Sequence, residues 1–130
     1  MNLYKHELID HFKNPRNYGK LQNPDFDSEV LNPSCGDQIS FQALVDNNVI
    51  KEIAFQGNGC VISQATASLL SEFCKGQSLE TIKNLSKDDI LTLIGIDLGP
   101  TRLRCGLLSL EALHRGINFY SIKRVIKNAR

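Results

Sequence analysis

From residue 38 to residue 56 the chain alternates apolar and polar side chains on both sides of a short polar break, Asp46-Asn47-Asn48. Ile39, Phe41, Ala43 and Val45 alternate with Gln38, Ser40 and Gln42 before the break, and Ile53 and Phe55 share one face after it. A period of two places each apolar set on one side of a strand. Asn and Asp tolerate the left-handed backbone of a tight hairpin. Upstream, Phe26, Ser28 and Val30 alternate with Asp27, Glu29 and Leu31 and supply one more strand. These runs predict an antiparallel three-stranded meander with one buried face.

The remaining segments read as helices. Residues 2 to 13 carry Tyr4, Leu8 and Phe12 at a spacing of four, with Ile9 beside them, while His6 and His11 fall outside that stripe. Asn14-Pro15-Arg16-Asn17-Tyr18-Gly19 closes the helix, because the residue before proline avoids helical geometry. Val61, Ala65, Leu69 and Phe73 predict a long helix that stops at Lys75-Gly76. Ser78 opens a short helix with Leu79 and Ile82, and Ser86-Lys87-Asp88-Asp89 resembles a capping box before Ile90 to Ile94. Leu103, Leu107 and Leu110 line a further helix ending at Gly116, and residues 119 to 129 form a last one. Strands first and helices later give an α+β fold, with the helices packed on one face of a small three-stranded antiparallel sheet. A length of 130 residues suits a single domain, 1–130, with one core.

Charge narrows the function. Fifteen Lys and Arg stand against fourteen Asp and Glu, for a net charge of +1. That balance gives no electrostatic reason to expect nucleic acid or an anionic membrane as partner. Lys123, Arg124, Lys127 and Arg130 are locally basic and read as a solvated helix face. No apolar run is long enough to span a membrane, and the start, Met1 to His6, has neither an apolar signal core nor an Arg-rich transit pattern. The chain therefore reads as cytoplasmic, where its four cysteines stay reduced and point to metal or thiol chemistry.

Three of those cysteines sit in loops marked by glycine or proline: Asn32-Pro33-Ser34-Cys35-Gly36-Asp37, Gly57-Asn58-Gly59-Cys60 and Leu98-Gly99-Pro100-Thr101-Arg102-Leu103-Arg104-Cys105. Cys35 falls between two strands, Cys60 where the third strand turns into the long helix, and Cys105 in the first turn of a late helix. A thiol at a helix start is expected to ionise more readily, an advantage shared by Cys60 and Cys105. Asp37 offers a hard oxygen beside the thiols, which makes for a weaker and more open site than four sulfurs. Cys74 lies fourteen residues past Cys60 on the same helix, roughly 21 Å away at 1.5 Å per residue. It reads as a buried small hydrophobe. A single cysteine in such a domain is more often core than ligand, and each of His6, His11 and His114 is more often a surface or helix residue than a ligand. Three cysteines at loop junctions, one near an acid, favour metal or sulfur chemistry.

The three cysteine motifs, with Val61-Ile62-Ser63-Gln64-Ala65 after the second, resemble the IscU/SufU/NifU-type iron–sulfur cluster assembly scaffold family. Tyr4, His11, Asn14-Pro15-Arg16-Asn17 and Gly19 match the family's N-terminal stretch, and the resemblance runs from about residue 3 to residue 116. It implies a small α+β domain that accepts sulfur from a cysteine desulfurase, assembles a transient [2Fe–2S] cluster and passes it to apo-proteins or downstream carriers. It implies Cys35, Cys60 and Cys105 as ligand and sulfur-accepting cysteines, with Asp37 completing a set that also takes Zn2+ or Fe2+. Cys35 is the candidate first sulfur acceptor, because its loop joins two strands and moves most easily. Arg104 stands where IscU-type members have a histidine, and arginine has no lone pair for a metal. In that respect the chain is nearer to SufU-type members, which can act as zinc-dependent sulfur shuttles, although the SufU-type insertion before the last cysteine is absent. Leu98-Gly99-Pro100-Thr101-Arg102 replaces the Leu-Pro-Pro-Val-Lys chaperone segment of IscU-type members, so a dedicated Hsp70 is not implied. The expected function is a scaffold and carrier rather than an enzyme. The alternatives are a zinc-dependent sulfurtransferase that carries a persulfide and, behind it, a structural zinc-binding interaction domain.

Overall fold

The computed structural model describes residues 3–33 and 36–128, without the side chain of Tyr4. Cys35, Ser34 and Arg130 therefore lie outside the described residues. The elements run α1 (Leu3–Lys13), β1 (Phe26–Leu31), β2 (Gln38–Asp46), β3 (Val49–Asn58), α2 (Val61–Cys74), α3 (Leu79–Lys83), α4 (Lys87–Ile94) and α5 (Pro100–Asn128). The strands form one antiparallel sheet in the order β1-β2-β3. Phe41 faces Ser28 on one side and Phe55 on the other. Asn47 and Asn48 both take positive φ at the hairpin, as the polar break implies.

The buried face of the sheet carries Phe26, Val30, Ile39, Phe41, Ala43, Ile53 and Phe55, against which α2 and α5 pack. Ser78 caps α3 by accepting from Thr81 N–H, and Ser86 and Asp89 form the full capping box of α4. No helix among the described residues is long and apolar enough to cross a membrane.

Three local expectations are corrected by packing. The two late helices are one, because Gly116 does not stop α5: its missing side chain lets the helix lie against β1. A Cβ there would overlap the ring of Phe26 and come within 3.0 Å of Ser28 Oγ, whose hydroxyl donates to the Ala112 carbonyl at 2.7 Å. Gly116→Ala is accordingly expected to cost about 1–3 kcal/mol by overpacking, read as a lowered urea midpoint. An unchanged midpoint would mean that the close approach is not needed. The second correction concerns α2. It is buried almost all round, including Ile62, Ser63, Thr66 and Ser68, whereas Val61 and Phe73 of the expected stripe are 40% and 36% exposed. The helix has neighbours on several sides, so one stripe cannot describe it.

The third correction is His11, which is buried while Phe12 and Ile9 are exposed. Its Nδ1 lies 2.7 Å from Ser68 Oγ, which also accepts the Arg16 N–H at 2.9 Å. The Ser68 proton is then free for Nδ1, leaving the ring proton on Nε2, 3.6 Å from Glu72 Oε1. Ser71 Oγ accepts from Asn17 Nδ2 at 3.0 Å and lies 2.7 Å from the Ser68 carbonyl and 3.1 Å from the Arg16 carbonyl, which share its proton. Asn17, at φ 60°, trades its carbonyl to Phe55 N–H, and Gly19 N–H returns to the Phe55 carbonyl. The Asn14-Pro15-Arg16-Asn17 segment thus ties α1 to α2 and covers the outer edge of β3.

Burial, and then Arg16, push the His11 pKa below its ordinary 6.5, against the pull of Glu72. The unfolded chain then binds more protons than the folded one. Stability is full above about pH 6.5 and falls as the solution is acidified through that value, by at most about 1.4 kcal/mol per pH unit. Chemical denaturation at pH 7 and pH 5.5 should show this loss, and His11→Gln should shrink it. A loss of equal size in His11→Gln would rule the residue out as its source.

Candidate metal centre

Asp37 precedes β2 in a loop whose base is closed by two backbone hydrogen bonds, Asn32 N–H to the Asp37 carbonyl and Gly36 N–H to the Asn32 carbonyl, both 2.7 Å. Cys60 is the N-cap residue of α2, and its own side chain makes no capping bond. Instead, Asp37 Oδ1 accepts the Cys60 N–H at 3.3 Å. The carboxylate therefore caps the helix from the loop before β2, where the positive end of the helix dipole favours an anion. Cys105 comes from α5. Proline at the first helical position is favourable because its missing N–H is not needed there. Pro100 starts α5 in this way, and so Cys105 sits in the second turn rather than the first.

One ligand atom each from Asp37, Cys60 and Cys105 lies within 4.8 Å of the others. Asp37 and Cys105 are only 4% and 5% exposed, while Cys60 is exposed and gives access to the group. Ser63, fully buried, donates to the Cys60 carbonyl at 3.1 Å, and its Oγ lies 3.8 Å from Cys60 Sγ. Gly59, at φ +154°, completes the cradle. A Cβ there would lie 2.5 Å from both Cγ and Oδ1 of Asp37 and 2.8 Å from Ser63 Oγ.

The electrostatics are lopsided. Burial raises the Asp37 pKa, but hydrogen bonds from Cys60, Cys105 and Ser63 outweigh it and leave the carboxyl below the usual carboxylate range. Burial raises the Cys105 thiol pKa, and Cys60 and Asp37 raise it further. The helix-start advantage expected of Cys105 is therefore absent. Cys74, buried at the far end of α2, has its thiol pushed up to about 12 by burial and takes no part in the group.

The donor set suits a thiophilic cation. Asp37 Oδ2 is buried and has no hydrogen-bond partner among the described residues, a costly state that a cation relieves. In a tetrahedral zinc site with Zn–S near 2.3 Å the sulfurs stand roughly 3.8 Å apart, so the three side chains need shift by only about an ångström. A bound cation also replaces the Cys105 proton. Arg104 is exposed and makes no ion pair among the described residues. His6 is exposed, and His114 Nε2 bonds the Ile82 carbonyl at 2.9 Å. Sequence reasoning missed the part played by Ser63. A serine three residues past the N-cap is the signal that points to it.

A family model, NifU-like N terminal domain, matches residues 3–127. The chain belongs to this family. Among curated members, it is 35% identical to "Zinc-dependent sulfurtransferase SufU" of Bacillus subtilis over 88% of this chain and 89% of the relative. It is 34% identical to "Iron-sulfur cluster assembly scaffold protein IscU" of Escherichia coli K12 over 95% of this chain and 98% of the relative. Among solved structures, the N-terminal part of a NifU-like protein from Brucella abortus shares the fold, with a TM-score of 0.74 at 19% identity over 93% of this chain and 96% of that one. In this NifU-like domain, the fold brings three sequence-distant donors to one end of the sheet, where β2, α2 and α5 meet.

Proposed function

We propose that this NifU-like chain is an iron–sulfur assembly scaffold whose cargo, iron and sulfide, is gathered on Cys35, Asp37, Cys60 and Cys105. The observation that carries the reading is the convergence of Asp37, Cys60 and Cys105 with one buried carboxylate oxygen unpartnered. Cys35 enters through its place two residues before Asp37. Thiolates hold iron firmly, and the single carboxylate weakens the set enough for later release. The cargo is a [2Fe–2S] cluster, assembled with sulfur from a cysteine desulfurase and handed to apo-proteins or downstream carriers in the cytoplasm. Sulfur arrives when a thiolate of the chain, Cys35 first, attacks the outer sulfur of the donor's persulfide and displaces the donor thiolate. Cys60, exposed at the rim, is the second acceptor.

A second reading has two observations in its favour. Arg104 precedes Cys105, so no histidine completes the set, and a curated relative of comparable identity is named a zinc-dependent sulfurtransferase. Under that reading zinc holds the same four residues, and Cys35 leaves it to carry persulfide.

Mass spectrometry after mixing the chain with a cysteine desulfurase and cysteine, with and without ferrous iron and a reductant, tests both. The scaffold reading expects persulfide that is consumed when iron is added. Persistent persulfide with zinc retained favours the shuttle. No sulfur uptake under either condition contradicts both.

A further inference from the structure

The last residue of α5 that the core buries is Tyr120; Ser121 is half-buried and residues 122–128 are all exposed. This overhang and the turn before it carry Phe119, Ile122, Val125 and Ile126, between 58% and 69% exposed. Phe119, Ile122 and Ile126 follow the i, i+3, i+7 spacing of a single seam. Local support for a helix here is limited to the i,i+4 contacts of Arg124 with Tyr120 and of Lys123 with Phe119. Ile122, Val125 and Ile126 are β-branched and lose side-chain freedom in a helix. Past Arg115, no intrahelical ion pair supports the helix among the described residues. Short helical stretches draw most of their stability from packing an apolar face, and this face has no cover among the described residues.

The charge beside the seam identifies the cover. Residues 112–128 contain no Asp or Glu, but include Arg115, Lys123, Arg124 and Lys127. Next to the seam, α5 and the loop before β1 enclose a cleft of about 670 Å³ lined by Pro24, Asp25, Tyr120, Lys123, Arg124 and Lys127. Its single acid is already engaged, because Asp25 Oδ2 accepts the Val45 N–H at 2.6 Å. Arg124 is braced by its bond to Tyr120 OH at 3.0 Å, and Lys123 lies over the Phe119 ring. A second copy would set these cations against one another. A flat bilayer would leave the cleft unfilled. A helix with an apolar seam and acidic flanks fits both features.

We propose that the end of α5 is a docking surface for an acidic, amphipathic helical segment of a partner protein, with Phe119, Ile122 and Ile126 meeting its seam and Lys123, Arg124 and Lys127 its carboxylates. Ile122 is seventeen residues along α5 from Cys105, roughly 26 Å at 1.5 Å per residue. A partner held here leaves the thiols open, so docking and exchange at the metal centre proceed together.

The test uses the full chain and two fluorescent synthetic helices with the same leucine seam, one flanked by glutamate and the other by lysine. The glutamate-flanked helix is expected to bind about tenfold more tightly than the lysine-flanked one at low salt. Lys123→Glu with Lys127→Glu should reverse that order, and Phe119→Ser with Ile122→Ser should abolish binding of both. Circular dichroism and cobalt-loaded spectra should match wild type in each variant. Equal binding of the two helices, or binding that survives the seam variant, overturns the proposal. So does a stable dimer lost in the seam variant, or tighter binding to phosphatidylserine vesicles than to the acidic helix.

Discussion

Gly59→Ala is expected to weaken binding of zinc or ferrous iron about 10–100-fold while leaving the sheet and helices in place, a loss of the size seen when residues supporting a metal ligand are changed. The added methyl would occupy the space of the Asp37 carboxyl, 2.5 Å from its Cγ and Oδ1, and would also crowd Ser63 Oγ at 2.8 Å. Neither neighbour yields easily. Asp37 is held by the Cys60 N–H, and Ser63 is fully buried and bonded to the Cys60 carbonyl. Gly59 also sits at φ +154°, where an L-residue is strained by about 1–3 kcal/mol. Competition against a coloured chelator measures the affinity, and far-UV circular dichroism reports the fold. Wild-type affinity in a folded Gly59→Ala chain would show that Asp37 is not held where the metal needs it.

Asp37 itself separates into two roles. Oδ1 accepts the Cys60 N–H and caps α2, while Oδ2 is free of partners among the described residues. Asp37→Ala removes both. It is expected to destabilise the metal-free chain by about 0.5–2 kcal/mol through the lost cap. It should also slow hand-over of an assembled cluster by about tenfold, because the weakest ligand gives the incoming thiolate its opening. Asp37→Asn keeps an oxygen for the Cys60 N–H and loses the anionic ligand. It should therefore keep the metal-free melting temperature near wild type while slowing hand-over. Faster hand-over from either variant would contradict the releasing role of the carboxylate. A melting temperature equally lowered in both would contradict the cap.

The sheet was legible because alternation and turn chemistry are local. Phe26, Phe41 and Phe55 announce their face by period alone, and Asn47 and Asn48 announce the turn. The helices were legible only where one side is covered. Residue α2 positions such as Ser63, Thr66 and Ser68 are polar and buried because their neighbours come from other elements. Gly116 reads as a stop in sequence and is a contact in space, since the Phe26 ring that requires it is ninety residues away. His11 is hidden for the same reason: Ser68 and the Arg16 backbone select it over Phe12 for the inside. At the candidate metal centre the loop motifs marked Asp37, Cys60 and Cys105, but the turn of α5 that holds Cys105 is fixed by Pro100, a signal present in the sequence and not used. The cap that Asp37 provides to α2 joins residues 23 apart in the chain and needs the antiparallel register of β2 and β3.

Anaerobic reconstitution tests the assembly role most directly. The chain is mixed with a cysteine desulfurase, cysteine, ferrous iron and a reductant, and then with an apo-ferredoxin. The visible absorbance of a [2Fe–2S] centre should appear on the chain and move to the ferredoxin, and Cys60→Ala should abolish both steps. Zinc that stays bound throughout, with no cluster absorbance at any stage, would contradict the scaffold reading.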